Sequence, residues 1–314
     1  MNLPVVIVDL KKFEENIKKI KSTCKGVSFI FPVKCCTNRR VLKIVCKNMD
    51  GFDISNNNEY QLIKKYQKNK LICSSGPLSY ELKDKKNVNV AFNNINDWDK
   101  KHGIRINFND NTNFQESHFG TPISLCNKEI KDSIKYLHFH NSDYKDKLKC
   151  EQIYEQIKSI VKQFSNLEIL NIGGHLEDLT WEEGIGYLKK IREILPNNIN
   201  VVTEIGDFLF KDCGVLYCQV IDSKIIDRKQ IIILNFSQMA NQRWVHPKLN
   251  KIYEGTFTTT FYGNSCCEVD TYLANIKCKE MKKGEELVFN NISTYGYQWN
   301  NNFNGVPKIK YIFK

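Results

Sequence analysis

Short runs of β-branched and aromatic residues recur along the first part of the chain and alternate with helical or loop segments. Runs of this kind, bounded by turn residues, are typical of buried strands. Eight such runs occur, at residues 27–33, 52–55, 71–74, 88–92, 104–108, 136–140, 167–172 and 200–204. Eight strands alternating with helical segments are what a closed (β/α)8 barrel of the TIM type requires. The sequence therefore predicts an α/β fold with such a barrel over residues 8–212.

Several segments between these runs have a helical period. Apolar residues three and four positions apart predict helices around 10–20, 153–164 and 185–195, and Pro196 ends the last of them. After residue 212 the pattern changes to short strand-like runs separated by Gly, Asn and Pro, without a long amphipathic helix. We therefore expect a small antiparallel β-barrel or sandwich domain over 213–314, joined by an N-terminal strand within 1–7.

The composition excludes several classes of protein. The chain has 46 Lys and Arg residues against 35 Asp and Glu residues, a net charge of +11, but its lysine doublets alternate with acids as on solvated helix faces. We therefore expect no nucleic-acid partner. No apolar run approaches the ~18 residues of a membrane span, and the N-terminus does not resemble a signal peptide, so a cytoplasmic protein without a membrane partner is expected. The 12 cysteines include no C-x-x-C pair, and we expect reduced thiols and no metal site.

Chemically useful residues follow several of the predicted barrel strands. Lys34 comes after the first strand, His140 after the sixth, Gly173 and Gly174 after the seventh, and Glu204 ends the eighth. A lone lysine after an apolar strand is usually only a side chain that reaches solvent. Catalytic residues of such barrels lie at the carboxyl ends of the strands, so these side chains are expected to converge on one face. Their combination points to a functional site.

A series of short motifs runs through nearly the whole chain in a fixed order. They lie at residues 4–9, 31–38, 52–59, 105–107, 117–120, 172–175, 203–207, 263–270 and 303–305, with Tyr295 upstream of the last. In type and order they resemble the motifs of the fold-type III pyridoxal-phosphate decarboxylases, the group that contains ornithine, diaminopimelate and carboxynorspermidine decarboxylases. Each motif alone is weak, and their order makes the resemblance specific.

The resemblance implies pyridoxal 5'-phosphate as the cofactor and a role for each matching barrel residue. Lys34 would hold the cofactor as a Schiff base, and Glu204 would pair with the pyridine nitrogen, so that the ring can accept the electron pair left by carbon dioxide. His140 would stack on the ring. Gly173 and Gly174 would admit the phosphate to backbone N–H groups, helped by the positive end of the following helix.

The resemblance also implies roles for residues outside these strand ends. Ser142 and Tyr295 would donate hydroxyl hydrogen bonds to the cofactor, and Cys266 would return a proton to the α-carbon. Substrate contacts would come from the segment after it, at Cys267, Glu268 and Asp270. In the resembling enzymes this loop enters the active site of the opposite subunit, so a homodimer with its active site at the interface is expected.

Three departures from the family pattern bear on the substrate and on cofactor affinity. Asp207 stands where the family has arginine, only two glycines precede His175, and Cys267 replaces an aspartate that reads the distal group of the substrate. A neutral thiol offers little charge for a distal ammonium. Free ornithine or lysine is therefore expected to be a poor substrate.

The sequence favours decarboxylation of an amino acid, either a diamino acid or an N-substituted derivative of one. An amino-acid racemase is the enzymatic alternative, but racemases of this plan place arginine at the pyridine nitrogen, where this chain has Glu204. A catalytically degenerate regulatory homologue is the alternative outside enzymes, and Asp207 and Cys267 are the kind of change that such decay produces.

Overall fold

The computed structural model describes residues 3–107, 118–140 and 147–314. Residue contacts divide the chain into two compact units, one over residues 16–209 and the other formed by the segment up to Glu15 together with 210–314. The assignment of cofactor binding to residues 8–212 stays a prediction.

The strands of the described residues are numbered in chain order. They are β1 (Val5–Val8), β2 (Val27–Pro32), β3 (Gly51–Asp53), β4 (Leu71–Ser74), β5 (Asn89–Phe92), β6 (Gly103–Asn107), β7 (Thr121–Pro122), β8 (Tyr136–His138), β9 (Ile169–Asn171), β10 (Asn200–Glu204), β11 (Gly214–Ile226), β12 (Lys229–Leu234), β13 (Lys248–Leu249), β14 (Glu254–Tyr262), β15 (Thr271–Cys278), β16 (Glu286–Asn290) and β17 (Lys310–Phe313). The helices are α1 (Leu10–Thr23), α2 (Arg39–Asn48), α3 (Asn57–Ile63), α4 (Lys128–Ser133), α5 (Lys147–Val161), α6 (Trp181–Ile194), α7 (Gln238–Asn241) and α8 (Tyr295–Gln298).

Eight parallel strands of the 16–209 unit close into a barrel, which confirms the predicted fold class. Their order is β5-β4-β3-β2-β10-β9-β8-β6, and pairing of β5 with β6 completes the ring. All eight lie within two residues of the runs predicted from the sequence. The connections from β4 to β5 and from β5 to β6 contain only single 3-10 turns, at Ser79–Leu82 and Ile95–Asp97. The barrel therefore lacks the usual helix at these two places.

Residues of unequal size fill the interior of the barrel. Tyr136 on β8 lies in a buried cluster with Ile30, Cys73, Ala91 and Val202. The small side chains of Cys73 and Ala91 leave space for the tyrosine ring, as close packing requires.

Helix termini follow local rules that are visible in the sequence. The side chain of Asn38 accepts a hydrogen bond from the Arg40 N–H at the start of α2. Thr180 and Glu183 form a reciprocal capping box at the start of α6. Among the described residues, no helix combines the length and the apolar content needed to cross a bilayer.

The second unit is a curled β-sheet with mixed rather than wholly antiparallel pairing. Its strands follow the order β13-β16-β11-β12-β14-β15, and β1 pairs with both β11 and β17. The pairs β12–β14 and β1–β17 are parallel. A two-residue turn joins β11 to β12, in which Asp227 and Arg228 both have positive φ, the geometry that suits the twist of a tight hairpin.

Gly103 provides a test of how tightly β6 packs against β8. A Cβ at this position would lie 2.2 Å from the carbonyl oxygen of Tyr136, a backbone atom that cannot move away freely. We expect Gly103→Ala to lower the free energy of unfolding by about 2–3 kcal/mol, the upper range for overpacked cores. Urea unfolding followed by circular dichroism measures this.

Gly186→Ala is the matched control. This glycine lies on the exposed face of α6, and a Cβ there meets nothing within 4 Å. Alanine should therefore stabilise the helix, by up to about 1 kcal/mol. Equal unfolding curves for the two variants would contradict the close approach of β6 to β8.

Candidate active site at the carboxyl end of the barrel

Ionisable side chains lie at or just after the carboxyl ends of several barrel strands. Lys34 follows β2, Asp53 ends β3, Arg105 lies on β6, His138 ends β8 and Glu204 ends β10. The carboxyl ends of parallel barrel strands share one face. The side chains also interact electrostatically, because the charges of Lys34 and Arg105 both act on the pKa of Asp53. They form one site.

Two neighbouring side chains hold the carboxylate of Glu204. Nε2 of His138 donates to Oε1 over 3.1 Å, and Nδ2 of Asn171 donates to the same oxygen over 2.8 Å. The donors lie side by side, since His138 on β8 pairs with Asn171 on β9. Among the described residues, no hydrogen bond reaches Oε2, which lies 4.0 Å from Nδ1 of His140. One oxygen is therefore held and the other remains available.

The two buried carboxyl groups of the site differ in charge. Burial by itself raises the pKa of Glu204, but the attraction that His138 exerts when protonated and its hydrogen bond, followed by the attractions of His140 and Lys34, outweigh it and hold the pKa below its usual value. For Asp53, burial and the negative charge of Glu204 raise the pKa well above its usual value. The site therefore favours an ionised Glu204 beside a protonated Asp53, the kind of divergence found where two carboxyl groups have different roles.

Both histidines of the site are neutral near pH 7. Burial lowers the pKa of His138, whose Nε2 also lies 3.1 Å from Oγ of Ser75. Burial lowers the pKa of His140 to about 3, against the attraction of Glu204. The geometry of His140 agrees with this, because its Nδ1 accepts a hydrogen bond from the Gly174 N–H over 3.3 Å. A nitrogen that accepts a hydrogen bond carries no proton.

The two-glycine turn lies where two strand ends approach each other closely. A Cβ on Gly173 would lie 2.6 Å from Nδ1 of His140, and one on Gly174 would lie 2.2 Å from the carbonyl oxygen of Glu204. Gly173 also has a φ of +69°, which favours glycine. Its N–H donates to Oδ1 of Asn171 over 3.0 Å. Six residues separate Gly174 from the first residue of α6, and the contribution of this helix to phosphate binding stays a prediction.

The remaining predicted site residues belong to the other unit or lie outside the described residues. Cys266 and Glu268 are exposed, Cys267 is half-buried and Asp270 is buried, all after β14. Tyr295 begins α8 and is half-buried. Ser142 lies outside the described residues. The structure thus brings together Lys34, His140, Gly173, Gly174 and Glu204 in one unit, and their proposed roles stay predictions.

Sequence reasoning assigned no role to several residues that complete the site. His138 and Asn171 orient Glu204, and Asp53 is a carboxyl group whose pKa burial and the charge of Glu204 raise. The guanidinium of Arg105 donates to the Ser75 carbonyl over 3.3 Å and lies 4.3 Å from the centre of the Phe119 ring. His138, Asn171 and Asp53 each end a strand, which was the available signal, whereas Arg105 lies in the middle of β6. Within the described ranges, no group of histidine, cysteine and carboxylate side chains is arranged to bind a metal ion.

Several solved structures with the same fold are decarboxylases. The arginine decarboxylase of Paramecium bursaria Chlorella virus, bound to agmatine, has 19% sequence identity and a TM-score of 0.78, over 100% of this chain and 98% of that one. Carboxynorspermidine decarboxylase of Campylobacter jejuni, with norspermidine, has 19% identity and a TM-score of 0.76, over 100% and 94%. Lysine/ornithine decarboxylase of Vibrio vulnificus, with putrescine, has 16% identity and a TM-score of 0.78, over 100% and 95%.

These structures confirm, at the level of fold, the resemblance to fold-type III decarboxylases that the sequence motifs predict. No protein-family model and no curated protein matches the chain.

The protonation states of the two histidines provide a direct test of the site. An unperturbed histidine with a pKa of about 6.5 is about nine-tenths protonated at pH 5.5. Because burial lowers the pKa of His140 to about 3, we expect this ring to remain neutral at that pH. Burial also lowers the pKa of His138, so this ring should be less protonated than an unperturbed histidine. Nitrogen-15 spectra of histidine-labelled protein, assigned with His138→Gln and His140→Gln, measure this.

The pH dependence of stability follows with a definite sign. A histidine whose pKa is lowered in the folded protein binds its proton more readily when the protein is unfolded. The contribution of His140 to the free energy of unfolding is therefore complete above about pH 6.5 and is lost as the pH falls towards 3. Titration of either ring near pH 6.5 would contradict the buried neutral network around Glu204.

Proposed function

We propose that the chain is a pyridoxal-phosphate-dependent decarboxylase that acts on a diamino acid or an N-substituted derivative. The observation that carries this proposal is the position of Lys34 and an ionised Glu204 at the ends of adjacent strands. β2 and β10 are paired in parallel, with Ile30 opposite Glu204. Such a cofactor requires a lysine amine and a buried carboxylate, together with a glycine turn and a neutral imidazole.

The residues present fit pyridoxal 5'-phosphate. The side chain of Lys34 is exposed, so its amine can reach an aldehyde. The glycine turn brings backbone atoms against His140 and Glu204, where any larger residue would collide. When bound, the cofactor supplies an electron sink for the pair of electrons that remains at the α-carbon after loss of carbon dioxide.

Glu204 sets the charge at the ring nitrogen in this proposal. Its Oε1 is occupied by His138 and Asn171, so we assign Oε2 to the ring nitrogen. An ionised carboxylate there favours a protonated pyridine ring, which withdraws electrons more strongly than a neutral one. The fixed donors on Oε1 keep the carboxylate oriented, so that no reorganisation is needed during the reaction.

The protonation of Asp53 affects the protonation of the Lys34 amine. Two ionised carboxylates near this lysine would both stabilise its ammonium form, and an amine must lose its proton to act as a nucleophile. Burial and the charge of Glu204 favour the protonated form of Asp53. Protonation of Asp53 therefore removes one of the negative charges that would act on Lys34.

Lys34 supplies the decisive test of the proposed cofactor. We expect the protein to bind pyridoxal 5'-phosphate with an absorbance band near ~420 nm, which borohydride bleaches as it fixes the cofactor to Lys34. Lys34→Ala should abolish the fixed adduct and turnover, whereas Lys43→Ala, an exposed lysine of α2, should change neither. Peptide mass spectrometry locates the adduct.

The substrate is tested by carbon dioxide release from arginine, lysine, ornithine, diaminopimelate and carboxynorspermidine. Release from one of them supports the proposal. Racemisation of a substrate without carbon dioxide release would favour a racemase. Protein that stays colourless with added cofactor would favour a regulatory homologue and overturn the proposed enzyme.

We also propose that the active unit is a homodimer in which Cys266 of one subunit acts as proton donor in the active site that contains Lys34 of the other. The resemblance carries this part of the proposal, and the exposed position of Cys266 is compatible with it. A thiol that carries its proton at neutral pH is a suitable proton donor.

Mixing two inactive variants tests the shared site. Lys34→Ala and Cys266→Ala subunits should together form mixed dimers with one intact site, which restores about a quarter of wild-type activity after random exchange. Each variant alone should remain nearly inactive, and their mixture is assayed after dissociation and reassociation. A mixture without recovered activity, or a fully active monomer, would contradict the shared site.

A further inference from the structure

The loop that carries Cys266 directs its acidic residues in opposite directions. This loop, residues 263–270, joins β14 to β15. Backbone hydrogen bonds close it, from the Gly263 N–H to the Asp270 carbonyl over 2.7 Å and from the Asp270 N–H to the Cys267 carbonyl over 3.0 Å. Glu268 is exposed, whereas Asp270 is only 1% exposed. The loop thus presents Cys266 and Glu268 outwards and buries Asp270.

The buried carboxylate of Asp270 is fully used by neighbouring donors. Its Oδ2 accepts hydrogen bonds from the N–H and the hydroxyl of Ser265, over 3.1 and 2.6 Å. Its Oδ1 accepts from the N–H groups of Gln238 and Met239, over 2.7 and 3.2 Å. A carboxylate offers about four acceptor positions, so these donors satisfy it. No oxygen remains to bind the cation of a substrate.

The backbone next to Cys266 is fixed from two sides. Ser265 is held by Asp270, and the N–H of Cys266 itself donates to Oδ1 of Asn304 over 2.9 Å. Asn304 has a φ of +57°, a left-handed conformation that asparagine tolerates better than most residues. A Cβ on Gly263 would lie 2.3 Å from Oδ2 of Asp270, so the carboxylate also packs directly against the loop backbone.

We propose that Asp270 is a positioning residue that holds the Cys266 loop in its presenting conformation and does not bind substrate. The inference rests on the proposed role of Cys266 as a proton donor. Proton transfer requires the donor at a defined distance from its acceptor, and a displacement of about 1 Å can cost about a hundredfold in rate. Asp270 meets this requirement by linking the loop to the segment at residues 238–239.

Hydrogen exchange in the full-length protein without cofactor tests this role. Asp270→Asn keeps the shape of the side chain but replaces one acceptor oxygen with an NH₂ group that cannot accept from Ser265 or the backbone. We expect exchange of the Ser265 and Cys266 amides to become about tenfold faster, the effect of losing one hydrogen bond to a charged group. Mass spectrometry of peptides covering residues 263–270 measures it.

Glu268→Gln is the matched control, because it removes the same charge from an exposed side chain of the same loop. Exchange of the loop should remain at the wild-type rate in this variant. If Asp270→Asn does not fold, Ser265→Ala replaces it, with an expected increase of about threefold at Cys266 for loss of one side-chain hydrogen bond.

Steady-state kinetics separates positioning from substrate binding. Asp270→Asn should lower kcat and leave KM unchanged, since the ground-state contacts of the substrate are preserved. Wild-type exchange in Asp270→Asn, or in Ser265→Ala where that variant takes its place, would overturn the proposal. A higher KM together with unchanged exchange would assign Asp270 to the substrate instead. Exchange is read without substrate or cofactor, so it decides the role of Asp270 even if the protein releases no carbon dioxide.

Discussion

The ionised carboxylate of Glu204, buried at the end of β10, is the charge on which the rest of the candidate site depends. An isolated ionised group inside a protein is strongly unfavourable unless donors and opposite charges surround it. His138 and Asn171 supply the donors, and Lys34 supplies the charge. The negative charge of Glu204 in turn helps to keep Asp53 protonated. Several properties of the site thus follow from one side chain.

Two buried carboxylates, Asp270 and Glu204, are held by their neighbours in different ways. Asp270 accepts four hydrogen bonds on its two oxygens and has no capacity left. Glu204 accepts two, both on Oε1, and within the described residues its Oε2 accepts none. Both are buried, and acidic residues that look alike in a motif therefore differ in how much of each carboxylate is free to accept a further hydrogen bond. The number of donors on each oxygen distinguishes them, because a saturated carboxylate cannot bind a ligand.

Much of the fold could be predicted from the sequence, because its signals are local. The period-two and buried runs predicted all eight barrel strands, and the rule that active sites lie at strand ends placed Lys34 and Glu204 on one face. The mixed pairing in the second unit could not be predicted, since the pattern of a strand does not specify its neighbours. The hydrogen bonds of Asp270 could not be predicted for a similar reason, because two of its donors lie about thirty residues away, at 238 and 239.

The two connections without a helix are those from β4 to β5 and from β5 to β6, so they lie before and after β5. In a closed ring of eight strands, β5 lies four strands from β10 in both directions, so it occupies the wall opposite Glu204. β5 forms only two residue pairs with each neighbour, whereas β10 and β2 form four. The connections without a helix thus lie on the side of the barrel opposite Glu204, next to the strand that carries Arg105. Thermal fluctuation of the barrel should therefore be largest around β5, and the pairing of β2 with β10 should be the more rigid part of the ring.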